Sequence, residues 1–326
     1  MENTKGFYYL EDVIIEGFKS FSEATNMSFK PGIGVIIGNN GVGKSNILDA
    51  ILWAFGEEDL LKLRCYNISE LFFWGSRDHK PASKISVQLT LKEWNNPSSK
   101  PIQIKRSCDI DGTNSFSVDE KDIDRQNFCR FISKIGLGDV TKTIIRQDQI
   151  NDIFYLNPHD RLEFIRQKYF NNNYNITEIL EKSIPIFKNY VSTLVPKYNA
   201  EMHINNSIEI EISSSLTGTK KAHQLSGGEK AVVALAFKAA LFKHLNSSIY
   251  FFDEVEPSLD YVNHKSLQLF LREISRQKQL IIITHLRATV ELADTLHGVR
   301  TRMDGSTFMK FYFVMDKRLL RLYKCC

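Results

Sequence analysis

The chain has 326 residues, 43% hydrophobic and 25% charged, with a formal net charge of +4 at pH 7, as expected of a soluble globular protein of two lobes or two modest domains. No run of about 18 apolar residues occurs, and no basic stretch followed by an apolar one opens the chain, so neither a membrane span nor a secretory leader is expected. Cys65, Cys108, Cys129, Cys325 and Cys326 show no CxxC spacing or prenylation pattern and read as free thiols of an intracellular, reducing compartment, the last two in a disordered end.

Tyr8-Tyr9-Leu10, Val13-Ile14-Ile15, Phe18 and Phe21 alternate as antiparallel strands do. A short apolar strand, Val35-Ile36-Ile37, enters a Gly/Asn-rich turn. From Lys44 the period changes to that of a helix, with Ile47, Leu48, Ile51, Leu52 and Phe55 on one face and Gly56 placed to stop it. Ile85 to Trp94 predicts a strand, residues 102–104 and 116–118 a hairpin about Asp111-Gly112, and Ile123 to Lys134 a helix. A helical stretch from Arg161 to Lys188 is broken by the polar run at 171–175, which sets the expected boundary between an N-terminal lobe (1–170) and a C-terminal lobe (171–326). Beyond it come a strand at Ile208–Ile212, a Ser/Thr/Gly/Lys-rich loop, an apolar helix from Ala231 to Phe242, and two runs, Ile249–Phe252 and Leu280–Ile283. Runs this apolar suit strands of a parallel sheet buried on both faces.

Gly38-Asn39-Asn40-Gly41-Val42-Gly43-Lys44-Ser45 fits G-x-x-x-x-G-K-[ST] between that strand and that helix. The glycines let the backbone wrap a phosphate and turn its N–H groups inward, and the helix presents its positive end to the same anion. Lys44 supplies a charge for β/γ-phosphates and Ser45 a hydroxyl for Mg²⁺. Asp253 ends a buried strand, where it can hold Mg²⁺, and Glu254 follows it as candidate general base. Leu225-Ser226-Gly227-Gly228-Glu229-Lys230 opens the apolar helix, with Ser226 as cap and the glycines allowing close backbone approach. A plain helix cap is the alternative reading of that motif.

The order phosphate loop, LSGGE, carboxylate pair and Thr284-His285 resembles the ABC ATPase superfamily. The resemblance implies ATP and Mg²⁺ as ligands, with Ser226, Gly227, Gly228 and Glu229 facing the γ-phosphate bound by a second head. It further implies Asp260, in Ser258-Leu259-Asp260, at that dimer interface, His285 at the γ-phosphate, and Gln147 sensing Mg²⁺ and water, with Gln149 as the alternative.

Within that superfamily the chain is similar to the heads of SMC (structural maintenance of chromosomes) proteins. The similarity lies in Gly17-Phe18-Lys19-Ser20-Phe21, in Asn46 after the phosphate loop, in Leu63-Arg64 with residues 69–75, in Asp253-Glu254-Val255-Glu256, and in Ala293-Asp294-Thr295-Leu296-His297-Gly298-Val299. It implies a two-lobed α/β head, with a mixed or parallel sheet core, an antiparallel β subdomain and flanking helices, and it adds Lys19, Arg64 and Asn46 to the nucleotide-binding set. The implied partners are a second head, DNA without sequence preference and a kleisin-type subunit, without a membrane, in chromosome organisation, segregation or repair. Candidate DNA-contacting clusters are Lys100 to Arg106 and Lys220-Lys221. The chain departs from the pattern at Asn39, Val42 and Asp148. Between Glu163 and Ile176 it also lacks the coiled-coil arms and hinge that separate the halves of such heads. A repair ATPase of RecN or RecF type is the nearest alternative; a transporter or ribosome-associated cassette is more remote.

Overall fold

A computed structural model describes residues 7–96, 98–170, 174–215, 218–256 and 262–315. The first stretch of chain forms β1 (Tyr8–Glu16), β2 (Thr25–Ser28), β3 (Ile33–Ile37), α1 (Lys44–Ala54), β4 (Lys84–Glu93), β5 (Ile102–Asp109), β6 (Asn114–Val118), β7 (Lys121–Ile123) and α2 (Arg125–Lys134). Then follow β8 (Ile144–Arg146), α3 (Pro158–Tyr169), α4 (Ile176–Leu194), β9 (Asn199–Ile204), β10 (Ile208–Ser214), β11 (Gly218–Lys221) and α5 (Gly227–Phe242). The last are β12 (Ile249–Asp253), α6 (His264–Ser275), β13 (Gln279–Ile283), α7 (Arg287–Val290), β14 (Thr295–Thr301) and β15 (Thr307–Val314). The fold is mixed α/β, as expected.

These elements make two compact units. The first gathers the described residues of 1–141, 246–251 and 277–326, the second those of 142–245 and 252–276. Residues from both sides of 170/171 enter each unit. The helix expected from Ile123 starts at Arg125, because the Asp124 side chain caps it by accepting from the Asn127 N–H at 2.9 Å. The expected hairpin closes between β5 and β6, where the Asp109 N–H donates to the Thr113 carbonyl.

The first unit holds an antiparallel sheet in the order β2-β1-β4-β5-β6-β7. Its inward positions alternate: Val13 and Ile15 on β1 sit opposite Leu89 and Val87 on β4, all four buried. The other sheet of this unit places β3 between β13 and β14, parallel to both, with β15 outside β14. All five residues of β13 and four of the five in β3 are buried, which explains their unbroken apolar sequences. Gln279, fully buried on β13, ties the two sheets together: its side chain accepts from the Leu10 N–H and donates to the Leu10 carbonyl on β1.

In the second unit, β9, β10 and β11 form an antiparallel sheet, and α4 packs on α5, α6 and β9. Helix α5 is apolar almost all round and buries 13 of its 16 residues, as a central helix must.

Candidate functional site

In the first unit, β3 ends at Ile37 and the chain turns through residues 38–43 into α1. Gly41 and Gly43 have φ values of 78° and 92°, in the left-handed region that glycine enters at little cost. A Cβ on Gly43 would lie 2.5 Å from the Ser20 and Thr307 hydroxyl oxygens, whereas one on Gly41 would meet no described atom within 4 Å. The loop is therefore packed on one side and open on the other. Gly43 occupies the N-cap of α1 and brings no side-chain acceptor, so the positive end of the helix faces the loop. Thr307 at the start of β15 braces the loop by donating to the Val42 carbonyl at 2.9 Å.

Lys44 is 5% exposed, and its ammonium donates to the Gly38 and Asn39 carbonyls at 2.9 Å each. It also lies 3.0 Å from His285 Nε2. An ammonium has donors only, so this contact uses Nε2 as acceptor. His285 thus lies beside the lysine of the phosphate loop. Ser45 is in the first turn of α1, half-buried.

Lys19 and Arg64 converge on the same helix through a residue that sequence reasoning missed. Asp49, whose side chain is fully buried, accepts from Lys19 Nζ and from Arg64 Nη2 at 2.6 Å each. Lys19 also donates to the Leu63 carbonyl, and Arg64 Nη2 reaches the Asn46 side-chain oxygen at 2.9 Å. Asn46 in turn donates to the Ser20 hydroxyl at 2.9 Å.

In the second unit, β12 ends in Asp253, buried, and Glu254 follows with a left-handed φ of 51°, half-buried. Arg146 at the end of β8 places Nη1 3.4 Å from Asp253 Oδ2, both side chains buried, so exposed Gln147 leaves the chain next to that carboxylate's partner. Gln149, half-buried, has its carbonyl held by Lys238 of α5, whose ammonium pairs with Asp152 at 2.7 Å. Arg146 and Lys238 were not anticipated as parts of the site.

The LSGGE segment starts α5. Ser226 Oγ accepts from the Glu229 N–H and Glu229 Oε2 accepts from the Ser226 N–H, a reciprocal capping box. Tyr198 and Lys220 also donate to Glu229, at 2.9 and 3.1 Å. Burial alone would raise the Glu229 carboxyl, but these donors outweigh it and hold it at about 2. Ser226 and Gly227 remain exposed. Asp260 lies outside the described residues.

Two of the charges considered for DNA are committed elsewhere. Arg106 is 4% exposed, stacked over Trp53 and bonded to the Trp53 and Glu57 carbonyls, and burial lowers its guanidinium to about 10. Lys220 serves Glu229. Arg106 is therefore a core residue, a correction to its place among surface cations: alternation along β5 turns it inward.

The donors for a metal are few. Among the described residues, no group of three or more His, Cys, Asp or Glu side chains converges on one point.

The family model described as RecF/RecN/SMC N terminal domain matches residues 9–307. The chain belongs to the RecF/RecN/SMC family. Its fold is that of SMC heads, which are ATPase-type domains. A crystal structure of the SmcHead bound to the C-winged helix domain of ScpA aligns with a TM-score of 0.81 and 27% identity, covering 95% of this chain and 99% of that one. The SMC head domain from Thermotoga maritima gives a TM-score of 0.69 and 28% identity, covering 94% and 99%. The Chromosome partition protein Smc of Mycolicibacterium paratuberculosis is 30% identical over 164 residues, 49% of this chain but only 14% of that protein. That of Mesomycoplasma hyorhinis is 27% identical over 297 residues, 89% and 29%. This SMC head thus matches only a small part of the length of these relatives.

Proposed function

We propose that this SMC head binds ATP with Mg²⁺, pairs with a second head around two nucleotides, and hydrolyses them in the service of chromosome organisation. The phosphate loop carries the reading, because its open left-handed turn, a buried lysine folded onto it and a helix N-terminus all favour an oligophosphate. Lys44 would exchange the Gly38 and Asn39 carbonyls for β/γ-phosphate oxygens, and His285 would contact the γ-phosphate. Ser45, Asp253 and Gln147 would hold Mg²⁺, which neutralises charge on the transferred phosphoryl group. Glu254 would take the proton of the attacking water. Ser226, Gly227 and Gly228 would face the γ-phosphate of the partner head, with Asp260 near that interface. A solved relative is bound to part of ScpA; a kleisin-type subunit is the corresponding partner here, and DNA would be contacted through its backbone, with a strong salt dependence.

The test is light scattering after size-exclusion chromatography with Mg²⁺ and ATP. Glu254→Gln should bind ATP, hydrolyse it at least roughly a hundredfold more slowly, as loss of a general base does, and elute as a dimer. Lys44→Ala should bind no ATP and stay monomeric. A Glu254→Gln protein that is monomeric when loaded would end the sandwich reading.

A further inference from the structure

Trp74 is an exposed aromatic held in one place. Its side chain is in a residue 70% exposed, yet the indole N–H donates to the Ser69 carbonyl at 3.1 Å. The backbone leading to it is fixed on both sides. The Lys19 N–H donates to the Leu71 carbonyl and the Phe73 N–H to the Gly17 carbonyl, each at 2.8 Å, while Phe72 and Phe73 are buried. The Ala82 N–H also donates to the Phe73 carbonyl at 2.8 Å.

The ring borders a cleft of about 430 Å³ that is also lined by Lys19, Ser20, Asn46 and Arg64. Ser20 and Asn46 connect this cleft to the phosphate loop, since the Ser20 hydroxyl packs against Gly43 and accepts from Asn46. The cleft therefore lies beside the first turn of α1, next to the phosphate loop, with two cations along its wall and a fixed indole at its edge. A large apolar ring costs free energy when left in water, and tethering it adds an entropic cost. Both are offset if a flat ligand covers its face.

We propose that Trp74 is a stacking platform for the base of the nucleotide bound at residues 38–45. The inference rests on the nucleotide-binding reading above and adds the residue that reads the base. Because every base has a π-face, such a platform favours large rings over small ones and discriminates weakly among purines.

The test separates base from phosphates. Titration calorimetry with Mg²⁺ would compare ATP and inorganic tripolyphosphate on the wild type, Trp74→Ala and Trp74→Phe. Trp74→Ala should weaken ATP by roughly tenfold, the loss of one base–aromatic stack, and leave tripolyphosphate unchanged. Trp74→Phe should recover most of the ATP affinity. ATP should also quench indole emission in the wild type and much less in Trp74→Phe. Unchanged ATP affinity in Trp74→Ala, or an equal loss for tripolyphosphate, overturns the assignment. A wild type that binds neither ligand overturns the phosphate-loop reading itself, and this one with it.

Discussion

The carboxylate of Asp49 sets the direction of two cations at once. It is fully buried, and Lys19 and Arg64 both terminate on it at 2.6 Å. Removing its charge leaves two cations without their counter-charge, one of them nearly buried. Asp49→Asn should therefore destabilise the protein by about 3 kcal/mol, at the low end for breaking a buried pair because the Arg64 side chain is 40% exposed. Urea denaturation measures this, and an unchanged midpoint would show that the triad carries no stability. The same variant should weaken ATP binding while the Lys44 contacts persist. Residues 38–45 were legible because their chemistry is contiguous in the chain. Asp49 was not: its partners lie 30 and 15 residues away, and inside α1 it reads as one polar interruption of an apolar helix. Arg106 misled for a related reason, since its charge hides a position that alternation turns inward.

Helix α5 gains both its start and its anchorage from charges placed in an otherwise apolar element. Its first turn depends on the box between Ser226 and Glu229. With the Glu229 carboxyl held at about 2 against an ordinary 4.5, its stabilisation is complete above pH 4.5 and is lost as pH falls from there toward 2. Glu229→Gln should therefore lower the urea midpoint at pH 7, and the gap to the wild type should narrow as pH falls through that window. A gap that stays constant would mean the charge is not what stabilises the cap. The Ser226 cap was legible from Leu225 to Lys230, but Glu229's part in it and the inner end of the helix were not. Lys238 is buried and, through loss of hydration, lowered to about 8, while its ion pair with Asp152 works in the opposite direction. No period in the sequence marks a lysine that points inward. Other elements went unread for different reasons. Helix α6 carries Leu267, Phe270, Leu271 and Ile274 at helical spacing, a signal that was present. Strand β14 buries Thr295 and His297, with His297 Nε2 2.8 Å from the Ser28 carbonyl, so its inward face looks polar.

At the scale of the whole chain, the segments before and after residues 171–173 are interlocked. Within the first unit, β3 is flanked by β13 and β14; within the second, Arg146 meets Asp253, and Arg161 donates to the Ile208 carbonyl at 2.9 Å. Six residues lie between α3 and α4. Co-expressed as separate fragments, 1–170 and 174–326, the two parts should copurify as one particle, because the pairing of β3 does not depend on that link. Fragments that elute apart would show that the covalent join is needed for assembly.

The position of β3 also sets a timetable for synthesis. Its neighbours Ile282 and Thr295 follow it by about 250 residues, so it leaves the ribosome well before they do. At 5–20 residues per second that is a wait of roughly 10–50 s, during which an apolar ribbon has neither edge satisfied. Nascent chains of this protein should therefore engage a holdase until β13 and β14 have been translated.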